Sequence, residues 1–182
     1  MSEALELGIH RRVLYELRDC GIIELVSRGL YHLKEGPELA MPDLVTVAKR
    51  VPSGVICLIS ALSFHELTSQ IPHFVYLAIP RNASRPQIDY PPLRCFWYPD
   101  SLMALGVEQG KVDHFGIKMF DREKTLIDCI RLRKRIGVGI AVEALKLYVQ
   151  RSDTDINRLI DYSQIARVDH VLRPMLEVIL GE

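Results

Sequence analysis

The 182 residues predict an α+β chain with a small N-terminal module and a larger mixed α/β part whose C-terminal half is helical. Three observations carry this reading. Apolar residues recur at helical spacing, then at strand spacing, then again at helical spacing. The stretch KEGPELAMPD (34–43) is polar and contains Gly and Pro, which marks a boundary and separates residues 1–36 from residues 43–182. The composition is 48% hydrophobic and 25% charged, ordinary for a chain that buries a real core.

Residues 2–7 read as a short helix ending at Gly8, and a second helix covers 9–20. Val13, Leu14 and Leu17 share one face of that helix, with Ile9 one turn earlier. Gly21 suits the left-handed position that ends it. Ile22 to Val26 and Leu30 to Leu33 then read as two strands joined at Ser27-Arg28-Gly29. Helix, tight turn, helix and hairpin form the order of the second half of a winged helix-turn-helix. The spacing thus predicts a partial one, because only MSEALELG precedes the turn.

Beyond the boundary, Asp43 is expected to cap a helix through Arg50 that buries Leu44, Val47 and Ala48. GVICLIS is too short to classify, and residues 59–67 look helical, with Leu62 and Glu66 one turn apart. FVYLAIP (74–80), LRCFWY (93–98) and DHFGIKMF (113–120) read as strands, the last with Phe115, Ile117 and Met119 on one face. RNASRPQIDYPP (81–92) has the composition of a loop. Asp121 is the expected N-cap of a helix running to Ile136 and stopped by Gly137. Residues 138–150 are apolar on most faces and predict a deeply buried helix. Two more helices fit 155–166 and 170–180, with Pro174 in a first turn or at a kink.

The four cysteines are scattered without a metal-ligand or redox spacing, so a reduced, cytoplasmic setting with no metal and no cofactor is expected. No apolar run is long enough for a membrane span, and no secretory leader is visible. Net charge is zero, so any nucleic-acid role must rest on local placement of arginines.

Such placement is present at the start. In a helix-turn-helix the second helix enters the major groove by its N-terminal residues. Arg11 and Arg12 occupy that turn, beside His10. Each guanidinium can donate two bonds to guanine, worth about 1–3 kcal/mol of discrimination. Tyr15 and Arg18 follow one and two turns on, Arg28 sits at the hairpin tip, and Lys34 follows the hairpin. Glu16, Asp19 and Glu24 are taken to fall elsewhere on these elements. The competing reading is a solvated amphipathic helix with Arg12 and Glu16 paired, worth only ~0.2–0.5 kcal/mol.

Other stretches invite chemistry less strongly. In SALSFHEL, Ser60 or Ser63 is a formal nucleophile and His65 a formal base, but no nucleophile elbow or zinc-protease spacing accompanies them. A packed helix with a satisfied histidine is the favoured reading, and the chain is not expected to be an enzyme. Asp121, Glu123 and Asp128 read as a cap, a first-turn anion and a partner for Arg131. Arg131, Arg133, Lys134 and Arg135 crowd the end of that helix and form a candidate second basic patch. Arg81, Arg85, Arg94, Trp97 and Tyr98 can stack on bases, but equally fit an exposed loop and an inward-packing strand.

The segment LGIHRRVLYELRDCGIIELVSRGLYHL (7–33) resembles the N-terminal winged helix of AbiEi-type antitoxins, the regulator half of type IV toxin–antitoxin systems. The likeness continues through VAKRVPSGVICLISALSFHELTSQIPHFVYLAIPR (47–81) and FDREKTLIDCIRLRKRIGVGIAVEALKLYV (120–149). It departs at the N-terminus, where the family's first helix has no counterpart. The resemblance implies a transcriptional autoregulator that binds the operator DNA of its own operon. It also implies an antitoxin domain over residues 43–182 that counters a nucleotidyltransferase-type toxin without a stable complex. A remnant module used only for protein contact is the remaining alternative.

Overall fold

The computed structural model describes residues 4, 6–27, 30–35 and 40–181. It is α+β, as the periodicities predict. Helix α1 (Arg11–Asp19) begins at His10, whose Nδ1 accepts the Arg12 amide at 3.2 Å. It ends where Gly21 adopts φ +72°, with Gly21 N–H bonded to Arg18 O and Ile22 N–H to Leu17 O, both at 2.9 Å. This paired arrangement satisfies two terminal carbonyls and needs a residue free to turn left-handed. The antiparallel strands β1 (Ile23–Ser27) and β2 (Leu30–Leu33) follow, with an irregularity between Leu25 and Ser27. The hairpin tip, Arg28 and Gly29, lies outside the described residues, as do residues 2, 3 and 5 of the expected 2–7 helix.

The helix at 11–19 is more exposed than its apolar spacing predicts. Leu14 is buried, but Ile9 and Val13 are exposed, as are Ile22, Leu25 and Leu33 beside them. Periodicity gives a common face, but burial requires something packed against it.

A five-stranded mixed sheet organises the rest, in the order β5-β4-β3-β7-β6. Its members are β3 (Val55–Ile56), β4 (Val75–Pro80), β5 (Leu93–Tyr98), β6 (Val107–Val112) and β7 (Phe115–Phe120). Strand β4 runs parallel to β5 and antiparallel to β3, while β7 runs parallel to β3 and antiparallel to β6. Helix α2 (Pro42–Arg50) covers one face, where Leu44, Val45 and Val47 meet Val75, Leu77, Ile117 and Met119. The opposite face carries Tyr76, Ala78, Phe96, Tyr98 and Phe120, packed against helices α3 (Leu58–Phe64), α5 (Arg122–Arg131), α7 (Val138–Val149), α8 (Ile156–Ile165) and α9 (Asp169–Leu180). Residues of β4 alternate between the two clusters, so this strand is buried on both faces. A short helix α4 (Asp100–Met103) joins β5 to β6, and α6 (Arg133–Ile136) joins α5 to α7.

Several expectations need correction. Asp43 lies in the first turn of α2 rather than capping it, since Pro42 already occupies a helical position. Ala48 is only partly buried, and Thr46 is buried instead. Helix α3 stops at Phe64, and Glu66 has φ +59°, so Leu62 and Glu66 do not share a helix. The helix expected over 121–136 is two: Leu132 closes α5, and the Arg133 guanidinium donates to Ile130 O at 2.9 Å across the break. Helix α7 buries Ala141, Ala144, Leu145 and Tyr148 on one side and leaves Val138 exposed, so it is not buried all round. Pro174 lies inside α9, which excludes the first-turn alternative.

Candidate nucleic-acid interface

Helix α1 projects its polar residues at 100° per residue, which groups them into two stripes. Arg11, Tyr15 and Arg18 stand at i, i+4 and i+7 on one stripe. Arg12, Glu16 and Asp19 stand on the next. Arg12 Nε bonds Glu16 at 2.8 Å with both side chains exposed. Arg18 pairs with Asp19 at 2.7 Å and lays its guanidinium 5.3 Å from the Tyr15 ring centroid. The Arg12–Glu16 pair of the competing reading is therefore present, and Asp19, expected elsewhere on the element, holds Arg18. Arg11 forms no ion pair with a described residue. Lys34 is exposed just after β2, its N–H donating to Ile22 O at 3.0 Å. His10 is spent as the cap, its Nδ1 facing the backbone. Arg28 lies outside the described residues.

The second basic patch is divided by its surroundings. Arg131 is partly buried, bonds Asp128 at 3.0 Å and stacks 4.7 Å from the Tyr98 ring centroid. Arg133 is tied to Ile130 O. Lys134 and Arg135 are exposed, and Arg135 lies 4.7 Å from the Phe96 ring centroid. Two of the four cations thus hold the fold together, and two face solvent.

Beneath that patch lies a charged cluster that sequence reading misses. Lys124 is fully buried and pairs with buried Asp128 one turn on. Its ammonium also sits 4.3 Å and 4.9 Å from the Phe120 and Tyr98 ring centroids. Burial lowers the Lys124 pKa, and Asp128 opposes that shift. The Tyr98 hydroxyl is buried beside these charges, and burial next to Asp128 pushes its pKa well up. Glu123 is the expected first-turn anion; it is buried and accepts from the Tyr148 hydroxyl at 2.6 Å. Asp121 is the expected N-cap: it accepts the Lys124 amide at 2.7 Å and the Tyr162 hydroxyl at 3.2 Å. Burial raises the Asp121 carboxyl above its ordinary value, and Tyr162 is pushed up to about 12, mainly by burial. Gly106 (φ +63°) closes over this corner, where a Cβ would stand 2.7 Å from Lys124 Cβ. The one available signal was Lys124 and Asp128 at i, i+4, a spacing that surface helices share.

Ser60 and His65 are occupied by main chain. Ser60 Oγ donates to Phe74 O at 3.3 Å and accepts the Tyr76 N–H at 3.0 Å. His65 Nε2 donates to Phe120 O at 2.8 Å. Ser63 lines a cleft of about 280 Å³ with Asp43, Phe74 and Tyr90. In the 81–98 stretch, Tyr98 and Phe96 pack inward, whereas Trp97 is exposed and its indole N–H donates to Ala83 O at 2.9 Å. Among the described residues no cluster of three or more His, Cys, Asp or Glu side chains suits a metal, and no helix is long and apolar enough to cross a membrane.

No protein-family model matches the chain, and no curated protein matches it.

Proposed function

We propose that this chain is a DNA-binding transcriptional regulator of the AbiEi antitoxin type, whose N-terminal helix and hairpin form part of a winged helix. The observation that carries the reading is the Arg11–Tyr15–Arg18 stripe of α1, exposed at the start of a helix that a hairpin directly follows. In this reading Arg11 and Arg12 approach base edges, while Tyr15, Arg18 and Lys34 contact phosphates. Arg12 and Arg18 exchange exposed carboxylates for DNA, a cheap substitution because surface ion pairs are weak. Residues 43–182 then act as the antitoxin part, opposing a nucleotidyltransferase-type toxin without a lasting complex.

A gel-shift titration on DNA upstream of the chain's own gene tests this. Arg11→Ala with Arg12→Ala is expected to weaken binding strongly, and added salt to weaken the wild-type complex steeply as counterions are released. Unchanged affinity in the double variant removes the recognition-helix assignment.

A second reading is favoured by the exposed apolar side chains Val13, Ile22, Leu25 and Leu33 around the same helix. It makes the N-terminal module a protein contact rather than a DNA reader. Sedimentation analysis separates the two: a monomer that shifts operator DNA supports the first, and a dimer lost in Val13→Ser that does not bind DNA supports the second.

A further inference from the structure

Strand β5 is an edge of the five-stranded sheet, paired with β4 on one side only. In a parallel pair, alternate residues aim their N–H and C=O groups away from the neighbour, so the outer side of β5 offers a row of unpaired backbone groups. A cleft of about 300 Å³ follows that side. It is lined by residues 93–97 in unbroken succession, together with Arg85 and Arg135. Consecutive strand residues point to opposite faces, so a cleft touching all five runs along the edge itself.

Its charge is of one sign. Arg94 lies on the helix-covered face, over Phe74 at 4.3 Å, and Arg135 joins it there over Phe96. Arg85 comes from the preceding loop, which the Trp97–Ala83 hydrogen bond ties to the strand. None of these three arginines forms an ion pair with a described residue, and among the described residues no carboxylate lines the cleft. The other edge strand, β6, differs: it carries Glu108 and Lys111, of mixed sign. The three arginines come from a loop, a strand and a helix up to fifty positions apart.

We propose that the β5 edge is a docking site for an extended acidic segment of a partner protein, which adds to the sheet as a further strand. The backbone supplies hydrogen bonds along β5, and side chains of the added strand alternate between the two faces. Carboxylates on one face meet Arg94 and Arg135, and apolar side chains on the other meet Trp97. The unpaired edge favours a peptide over a nucleic acid, which has no amide row to match it. Pairing with β5 of a second copy would set arginine against arginine, which disfavours self-association. The inference is independent of the DNA-binding reading, because no residue of α1 or the hairpin takes part.

Fluorescence anisotropy with the full chain tests it, using a labelled decapeptide of alternating glutamate and valine. The peptide is expected to bind, and Arg94→Gln with Arg135→Glu to weaken it at least about tenfold. Arg135→Glu alone, at an exposed site that leaves the Arg94 stacking intact, is expected to weaken it less. The same peptide N-methylated at alternate residues is expected to lose binding, since one row of its donors is removed. Peptide binding that is absent, or unmoved by the arginine variants or by N-methylation, overturns the proposal. So does a labelled single-stranded oligonucleotide that binds the same arginines more tightly than the peptide.

Discussion

Helices α1 and α5 carry the same device at the same spacing and put it to opposite use. In α1, Arg12 reaches Glu16 one turn on, with side chains 83% and 59% exposed. In α5, Lys124 reaches Asp128 one turn on, with both side chains at 0%. Water surrounds the first pair and screens it, so either partner is free to leave for another ligand. The second pair has given up its hydration, and neither charge can lose its partner without being stranded in a medium that stabilises ions poorly. The same motif is thus interchangeable on the surface and obligatory in the core.

The largest effect is expected from Asp128→Asn. Asp128 serves both Lys124 and Arg131, so its neutralisation leaves a buried ammonium beside a half-buried guanidinium. A loss of about 3–5 kcal/mol is expected in urea denaturation. Lys124→Met alone is expected to cost less, because Arg131 still accompanies the carboxylate. Lys124→Met added to Asp128→Asn should recover part of the loss, and restore folding if the single variant fails to fold. Equal costs for the two single variants would mean that Arg131 does not share the carboxylate.

A middle-sized effect is expected at alkaline pH. Burial holds the Cys57 and Cys129 thiols well above 9.0, and Tyr98 is raised as well. The folded thiols stay protonated while the unfolded ones ionise, so their contribution is complete below that value and is lost as pH rises past it. Lys124, lowered by burial, acts in the opposite sense as pH approaches 10.5, but the two thiols, Tyr98 and Tyr162 act together against it. Stability measured between about pH 8 and about pH 10 should therefore fall, and Cys57→Ala with Cys129→Ala should flatten the decline.

The smallest effect belongs to α1. Arg12→Ala and Glu16→Ala are expected to leave the urea midpoint at the wild-type value within error. A loss comparable to that of Asp128→Asn would show that the exposed pair is not merely solvated, and the contrast between the two helices would collapse.

Legibility in the sequence followed the range of the interaction. Asp121 as a cap, Gly21 as a helix stop and the Asp128–Arg131 pair were readable because each involves residues within a few positions on one element. Strand β6 was not, because VEQGKV at a sheet edge carries little apolar alternation. The break at Leu132 was missed because residues 122–136 keep good helix formers on both sides of it. Of the candidate site, the exposure of Arg11 and Arg12 was readable. So was the Arg12–Glu16 pair, one turn apart; the Arg18–Asp19 pair was not, because adjacent residues do not face each other on an ideal helix.

The α+β class, most helices and strands, and the cationic start of α1 follow from the amino-acid order, because turn chemistry, capping and side-chain periodicity act over one or two turns of chain. Which charges are buried and which arginines meet depends on long-range packing. Lys124 and Arg12 stand alike in the sequence, and the sheet and helices packed around α5 make one of them internal. Arg85, Arg94 and Arg135 become neighbours only when the loop before β5 and the helix after α5 converge on one sheet edge. Burial and convergence are properties of what packs against a residue, and local spacing carries no record of that partner.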